Sequence, residues 1–119
     1  MFNIIKIGEK NVPMLSMASV DIYYRNVFHE DPLKFQTEDH EPGETVEFYE
    51  RMGFIMAIFA ERKTRDGMRE LREDDYLDWL DGFDRLELMN ALGDIQKTYD
   101  GQAVTNAEAK KNTSAPNEE

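Results

Sequence analysis

The sequence predicts a mainly helical α+β fold, with an N-terminal β-hairpin, about four helices around one small core, and a disordered C-terminal tail. Three observations lead to this prediction. The chain has 119 residues, which is the length of a single domain. Its residues are 40% apolar and 11% aromatic, which is enough bulky side chain to fill one core. Apolar residues recur at helical spacing through most of the chain, whereas strand-like alternation is confined to the N-terminal segment.

The N-terminal segment predicts the hairpin. Residues 2–7 are rich in Ile and Phe, and Gly8-Glu9 offers a turn. Val12 and Met14 then alternate with polar or small residues. Because Pro13 has no N–H to donate to a strand ladder, we expect the second strand at a sheet edge.

The next segment predicts one amphipathic helix of about eleven residues, with Ser19 as its N-cap. Its apolar stripe is largely aromatic and consists of Val20, Tyr23, Tyr24, Val27 and Phe28. Aromatic stripes at helical spacing usually face inward, so core packing is favoured over a binding surface for these rings. Asp31-Pro32 then predicts the start of a short turn over 33–36.

An acidic loop around Glu41-Pro42-Gly43 precedes a longer helix from Thr45. This helix is apolar nearly all round its C-terminal half, so we expect it at the centre of the core. Residues 61–73 are rich in Arg and contain few apolar positions, which predicts a charged connector.

Two helices are predicted after the connector. Asp74 or Asp75 caps a short one, and Asp84 with Glu87 three places later has the pattern of a capping box that opens the last one. Gly101 is the predicted stop of this last helix.

The composition changes after the predicted last helix. Val104 is the one large apolar residue in this stretch, which is otherwise polar or small and offers too little apolar surface to offset the entropy of ordering. We therefore expect a globular domain over 1–101 and a disordered tail over 102–119.

Charge and cysteine content exclude several classes of function. The formal net charge of -11 repels phosphate backbones and anionic lipid surfaces, so neither nucleic acid nor a membrane is an expected partner. The absence of Cys excludes disulfides, thiol nucleophiles and Cys-ligated metals. The N-terminus lacks the pattern of a secretory signal, and the longest apolar run, residues 52–60, is shorter than the roughly 20 residues that span a bilayer.

The sequence shows no constellation that carries chemistry. The acidic residues around Gly82 fail the EF-hand spacing, since Leu77 and Trp79 fall at ligand positions. His29 and His40 are the two histidines, and neither has a metal-binding spacing or a candidate nucleophile nearby in the sequence. We expect no catalytic residue, no cofactor and no metal, and therefore a binding protein that is not an enzyme.

Two motifs resemble a known family. The Ile-rich start, Val12-Pro13-Met14 and then Tyr24-Arg25-Asn26-Val27-Phe28 with Asp31 soon after are similar to the hairpin and Tyr-Arg-x-x-Phe helix of the tail assembly chaperones of long-tailed, siphovirus-type bacteriophages. Asp78-Trp79-Leu80-Asp81-Gly82-Phe83-Asp84 is similar to the Trp-Leu-Asp-x-Phe segment that enters the last helix of that family. The resemblance covers about residues 3–100, in the same order. One departure is His29, where the family pattern has Gly.

The resemblance implies a protein of the host bacterial cytoplasm, absent from the mature virion, that binds the tape measure protein, keeps it soluble and helps recruit tail tube subunits. It also implies further interactions with the tail tube protein and with a frameshifted longer form of the same chain, and weak self-association. Lys110-Lys111-Asn112 is compatible with an A-rich slippery codon stretch. We expect partner contacts at the exposed edges of two groups, namely Tyr24, Arg25 and Phe28, and Trp79 and Phe83.

Two other functions stay open. An acidic phage-encoded inhibitor, or DNA mimic, that acts on a host protein is compatible with the net charge of -11, although the interleaved basic residues break any long negative stripe. A structural tail component is the other, and its presence in purified virions would distinguish it from a chaperone.

Overall fold

The computed structural model describes the backbone of residues 1–37, 39–62 and 64–114, and the side chains of these residues up to Gly101 except that of Arg62. Over these residues the chain forms a two-stranded antiparallel hairpin followed by six helices. The elements are β1 (Phe2–Ile7), β2 (Lys10–Leu15), α1 (Val20–Phe28), α2 (Pro32–Thr37), α3 (Pro42–Arg62), α4 (Arg65–Arg69), α5 (Glu73–Leu80) and α6 (Arg85–Ser114). The predicted fold class, mainly helical α+β with an N-terminal hairpin and one core, is confirmed.

The hairpin pairs Phe2 with Leu15 at its open end and Ile7 with Lys10 at its turn. Gly8 adopts a left-handed conformation in this turn, with a φ of 62°. Glycine suits this position because it adopts the left-handed conformation without steric cost, whereas a Cβ atom there would displace only the carboxylate end of the Glu87 side chain. Both strands of a two-stranded sheet are edges, which accommodates a proline in β2 as predicted.

Helix α3 begins earlier than predicted. The sequence places residues 41–43 in a loop and starts the helix at Thr45, whereas the structure starts it at Pro42. Proline suits the first helical position because its φ is already helical and its missing N–H is not needed there. The backbone N–H of Glu41 donates to Glu44 Oε1 at 2.7 Å, which caps this end.

The charged connector expected over 61–73 contains a short helix, α4. Thr64 caps the N-terminus of this helix, because its side-chain oxygen accepts a hydrogen bond from the N–H of Gly67 at 3.2 Å. Helix α5 starts at Glu73, one residue before the predicted caps, and the N–H of Arg72 donates to Asp75 Oδ2 at 2.9 Å.

Helix α6 begins where the sequence predicts. Asp84 Oδ2 accepts hydrogen bonds from the N–H groups of Leu86, at 3.1 Å, and Glu87, at 3.3 Å. The helical backbone then continues through the predicted stop at Gly101, which is buried, to Ser114. The disordered tail was predicted over 102–119. The side chains of these residues, and the backbone of 115–119, lie outside the described part of the chain.

Helix α3 lies at the centre of the core, as predicted. Every side chain from Met52 to Ala57 is buried, and α3 contacts the hairpin, α1 and α6. Gly53 lets α6 approach closely, because a Cβ atom there would lie 3.1 Å from the Cδ1 of Ile95. Among the described residues, no helix combines the length and the apolarity needed to cross a membrane.

Hydrogen bonds between side chains fasten α6 to the elements around it. Asn3 Nδ2 of β1 donates to Thr98 Oγ1 at 3.1 Å. The hydroxyl of Tyr99 donates to Asp21 Oδ1 of α1 at 2.7 Å and accepts a bond from Gln36 Nε2 of α2 at 3.4 Å. The last helix therefore joins the hairpin to the first two helices.

Candidate partner-binding surface

Two of the predicted contact residues are in the core. Tyr24 is 2% exposed and Phe28 is 8% exposed, so neither offers the exposed edge that the sequence analysis expects. Their rings pack against α3, with centroid distances of 5.3 Å from Tyr24 to Phe48 and 6.4 Å from Phe28 to Phe54. Core packing, the favoured interpretation of this aromatic stripe, is what the structure shows.

The other three predicted residues reach the surface in two places. Arg25 is exposed on α1, and its Nη1 lies 3.6 Å from Asp31 Oδ1. Trp79 and Phe83 are half-buried and pack edge to face at 4.9 Å, across the junction of α5 and α6. The Lys10 ammonium lies 5.0 Å from the centre of the Phe83 ring and donates a hydrogen bond to the Gly82 carbonyl. The structure thus unites Trp79 with Phe83 and leaves Arg25 on another element.

A groove between α1 and α4 was not predicted. It encloses about 500 Å³, and its apolar floor consists of Ile22, Tyr23, Phe59 and Met68. Ile22 is 49% exposed, whereas Met68 is 1% exposed. Polar side chains from the two helices and their N-caps form the rim, namely Ser19, Asn26, Thr64, Arg65 and Arg69. We call this feature the α1–α4 groove.

Local sequence explains how the α1–α4 groove forms. Tyr23 and Phe59 meet edge to face at 5.8 Å, which fixes α1 against the C-terminal part of α3. The Thr64 cap then starts α4 so that Met68 points inward and Arg65 and Arg69, four residues apart, lie on one side. One sequence signal was available, since Ile22 lies outside the apolar stripe of α1. Spacing within α1 does not reveal which helix lies beside it.

The electrostatic character of the α1–α4 groove is opposite to that of the whole chain. Two arginines and no Asp or Glu are among the described residues that line it, although the chain has a formal net charge of -11. Arg69 Nη1 lies 3.8 Å from Asp66 Oδ1, but both side chains are largely exposed, so this ion pair is weak. The groove is therefore apolar at its floor and basic at its rim.

A second cavity, of about 380 Å³, lies between α2 and α3 and is mainly acidic. Its carboxylates come from Glu30, Asp31, Asp39, Glu44 and Glu47. His29 and His40 also line it, and the His40 ring stacks on Phe35 at 3.8 Å. Within the described part of the chain, no group of His, Asp and Glu is arranged to hold a metal ion.

Arg51 occupies the wall of this acidic cavity. Its Nη1 bonds Glu30 Oε1 at 2.7 Å, its Nη2 lies 3.6 Å from Glu47 Oε2, and its guanidinium lies 4.8 Å from the centre of the Phe28 ring. Burial acts to lower the pKa of Arg51, but the neighbouring Tyr24 hydroxyl and the two carboxylates outweigh burial and raise the pKa. Burial raises the pKa of Tyr24. These contacts link α1 to α3, which is a structural role.

In comparisons with protein-family models, with curated proteins and with solved structures, nothing matched the chain.

Proposed function

We propose that the protein is a phage tail assembly chaperone that binds the tape measure protein, keeps it soluble and helps recruit tail tube subunits. On this proposal it acts in the host bacterial cytoplasm by reversible docking, without a catalytic step, and is absent from the mature virion. Its partner is then a long helical chain that exposes apolar stripes until tube subunits cover it. The sequence resemblance supplies the identity of that partner.

The α1–α4 groove is the observation that carries this proposal. Amphipathic helices bind proteins by laying apolar side chains, spaced three or four residues apart, into an apolar groove. The groove offers such a floor between two helices, with Ile22 half-exposed among the lining residues and polar side chains beside it. This arrangement of an apolar floor and a polar rim is typical of protein interfaces.

The open face of the hairpin supports a binding function independently. Phe2 is 59% exposed and Ile4 is 57% exposed, and they lie on the same face of β1. The residues paired with them are Leu15 and Pro13, so the apolar surface continues across both strands. Contiguous exposed apolar surface is characteristic of proteins that bind other proteins.

Co-expression with the tape measure protein of the same phage tests the proposal. The tape measure protein carries an affinity tag, and we measure its soluble yield and the amount of chaperone captured with it. We expect the tape measure protein to be soluble and captured together with this chain, and to be insoluble when expressed alone. Tail tube protein added to the captured complex should then assemble on it.

An insoluble tape measure protein beside a folded, uncaptured chain would contradict the proposal. The acidic inhibitor would then be the function to test, through salt-sensitive binding to a host DNA-binding protein. Detection of the chain in purified virions would instead favour a structural tail component.

A further inference from the structure

We infer that the α1–α4 groove selects amphipathic helices whose apolar stripe is flanked by acidic residues. This inference rests on the proposed function in one respect, which is that the groove docks a partner helix. It adds the chemistry of the segment that is recognised, and so predicts which part of a long helical partner this chain binds.

The floor of the groove sets the apolar part of the recognition. Its volume of about 500 Å³ is comparable with pockets that bury several apolar groups. Tyr23 is 8% exposed and Met68 is 1% exposed, so the floor is already packed from below and does not need to rearrange. Ile22 is 49% exposed and is the floor residue that a docked helix would cover most completely.

The rim sets the charge of the partner. Arg65 and Arg69 are four residues apart on α4, and both line the groove. Both side chains are exposed, so acidic residues at helical spacing on the partner can reach both guanidinium groups and compete with Asp66 for that of Arg69. A basic partner helix would place its charges beside these arginines and be repelled.

The negative charge of the rest of the surface favours the groove over other sites for an acidic segment. With 25 Asp and Glu against 14 Lys and Arg, most of the chain repels an acidic segment, whereas the groove attracts one. Repulsion elsewhere and attraction at one site favour a single docking position, because specificity is the difference between the affinities of the right and wrong sites. A basic helix would instead prefer the acidic cavity between α2 and α3, which five carboxylates line.

Two synthetic peptides of about 20 residues test the inference. Both carry the same leucine stripe at helical spacing, and the residues that flank it are Glu in one and Gln in the other. We expect the Glu peptide to bind about fivefold or more tightly than the Gln peptide, measured by fluorescence anisotropy. Ile22→Asp should weaken binding of the Glu peptide about tenfold or more, because a charge would enter the apolar contact.

Charge reversal at the rim separates local recognition from net charge. Arg65→Glu with Arg69→Glu should abolish the preference for the Glu peptide. Arg72→Glu with Arg85→Glu changes the net charge by the same amount away from the groove and should retain the preference.

Leu33→Asp on α2, at a side chain that is 63% exposed, is the control for Ile22→Asp and should bind the Glu peptide as the native chain does. Circular dichroism establishes that each variant is folded, and Ile22→Ser replaces any Ile22→Asp protein that is not.

Three results would overturn the inference. The first is equal binding of the two peptides by the native chain. The second is a preference for the Glu peptide that survives reversal at Arg65 and Arg69, or that both double variants lose equally. The third is unchanged binding of the Glu peptide by the Ile22 variants.

The same variants keep this inference distinct from the proposed function. If the tape measure protein is captured equally by native chain and by Ile22→Asp, and the Glu peptide binds both equally, the chaperone proposal stands and the groove inference fails. If the Glu peptide binds at Ile22 but the tape measure protein is never captured, the groove inference stands and the proposed partner is wrong.

Discussion

His29 adopts a backbone conformation that is usually occupied by glycine. It ends α1 with a φ of 59°, and its N–H donates to the Arg25 carbonyl at 2.8 Å. A left-handed residue at this position is the usual end of a helix, and glycine is favoured because it has no Cβ. The resemblance has Gly at this position, so the departure at His29 changes the side chain while the backbone keeps the conformation that glycine favours.

Replacing His29 by Gly should therefore stabilise the protein. The left-handed conformation costs a residue with a side chain about 1–2 kcal/mol, which His29→Gly removes. The greater freedom of Gly in the unfolded chain offsets about 0.4–1 kcal/mol of this stabilisation. We expect the free energy of unfolding to rise by up to about 1.6 kcal/mol, measured by urea denaturation.

Asn26→Gly is the control for this prediction, since Asn26 is exposed within the same helix. It should lower the free energy of unfolding by a few tenths of a kcal/mol, up to about 1 kcal/mol. A loss of stability in His29→Gly as well would mean that contacts of the imidazole outweigh the backbone strain.

At the scale of elements, Tyr99 joins helices that are distant in sequence. It is half-buried on α6, its hydroxyl donates to Asp21 of α1, and its ring lies 5.9 Å from that of Phe48 of α3. Burial, and after it this hydrogen bond, raises the pKa of Tyr99 well above the ordinary value for a tyrosine. Because the pKa of Tyr99 is higher in the folded than in the unfolded chain, the protonated hydroxyl contributes its full stability at pH values below the unfolded pKa. This stability is lost as the pH rises through the folded pKa, so the hydrogen bond is intact at neutral pH.

Removing the Tyr99 hydroxyl should loosen α6 from α1. We expect Tyr99→Phe to lower the free energy of unfolding by about 1–2 kcal/mol, because the lost bond is to a carboxylate that stays partly hydrated. A double-mutant cycle with Asp21→Ala, which removes the acceptor, isolates the bond, and we expect a coupling energy of at least about 0.5 kcal/mol. A coupling energy near zero would show that the two side chains contribute separately.

The same elements show what the sequence can and cannot predict. The hairpin, the central helix and the Asp84 cap follow from alternation, helical spacing and capping chemistry, all of which act over a few residues. Helix α4 was missed because one side chain, Thr64, starts it in a segment with few apolar residues. The α1–α4 groove depends on how α1, α3 and α4 pack together, which no local pattern contains. Trp79 and Phe83 were grouped through the family resemblance, and their contact forms across the turn that follows α5.

At the scale of the whole molecule, the dominant property is negative charge. The formal net charge of -11 is spread over a small domain, so its carboxylates repel one another in the folded state. Arg51, whose side chain is 16% exposed, pairs with Glu30 and Glu47, but one cation does not offset the excess of carboxylates over the whole chain. Net repulsion should therefore outweigh attraction at low ionic strength.

Salt should consequently stabilise the fold. Between about 10 mM and 150 mM NaCl the Debye length falls from about 30 Å to about 8 Å, which screens the repulsion. We expect the free energy of unfolding in urea to rise by about 1 kcal/mol and Tm to rise by about 4–8 °C. Potassium chloride at the same ionic strength should act equally. A lower Tm in salt would show that ion pairs, and not repulsion, dominate the electrostatic energy.

The bond between Asn3 and Thr98 has a consequence for the order of folding during translation. It joins residues 95 positions apart, and it places the first strand against the last helix. Helix α3 can pack against β2 before α6 exists, whereas the contacts of β1 with α6 must wait until the residues around Thr98 have been made. Contacts of such long sequence separation slow folding, because a long stretch of chain must come together before they form.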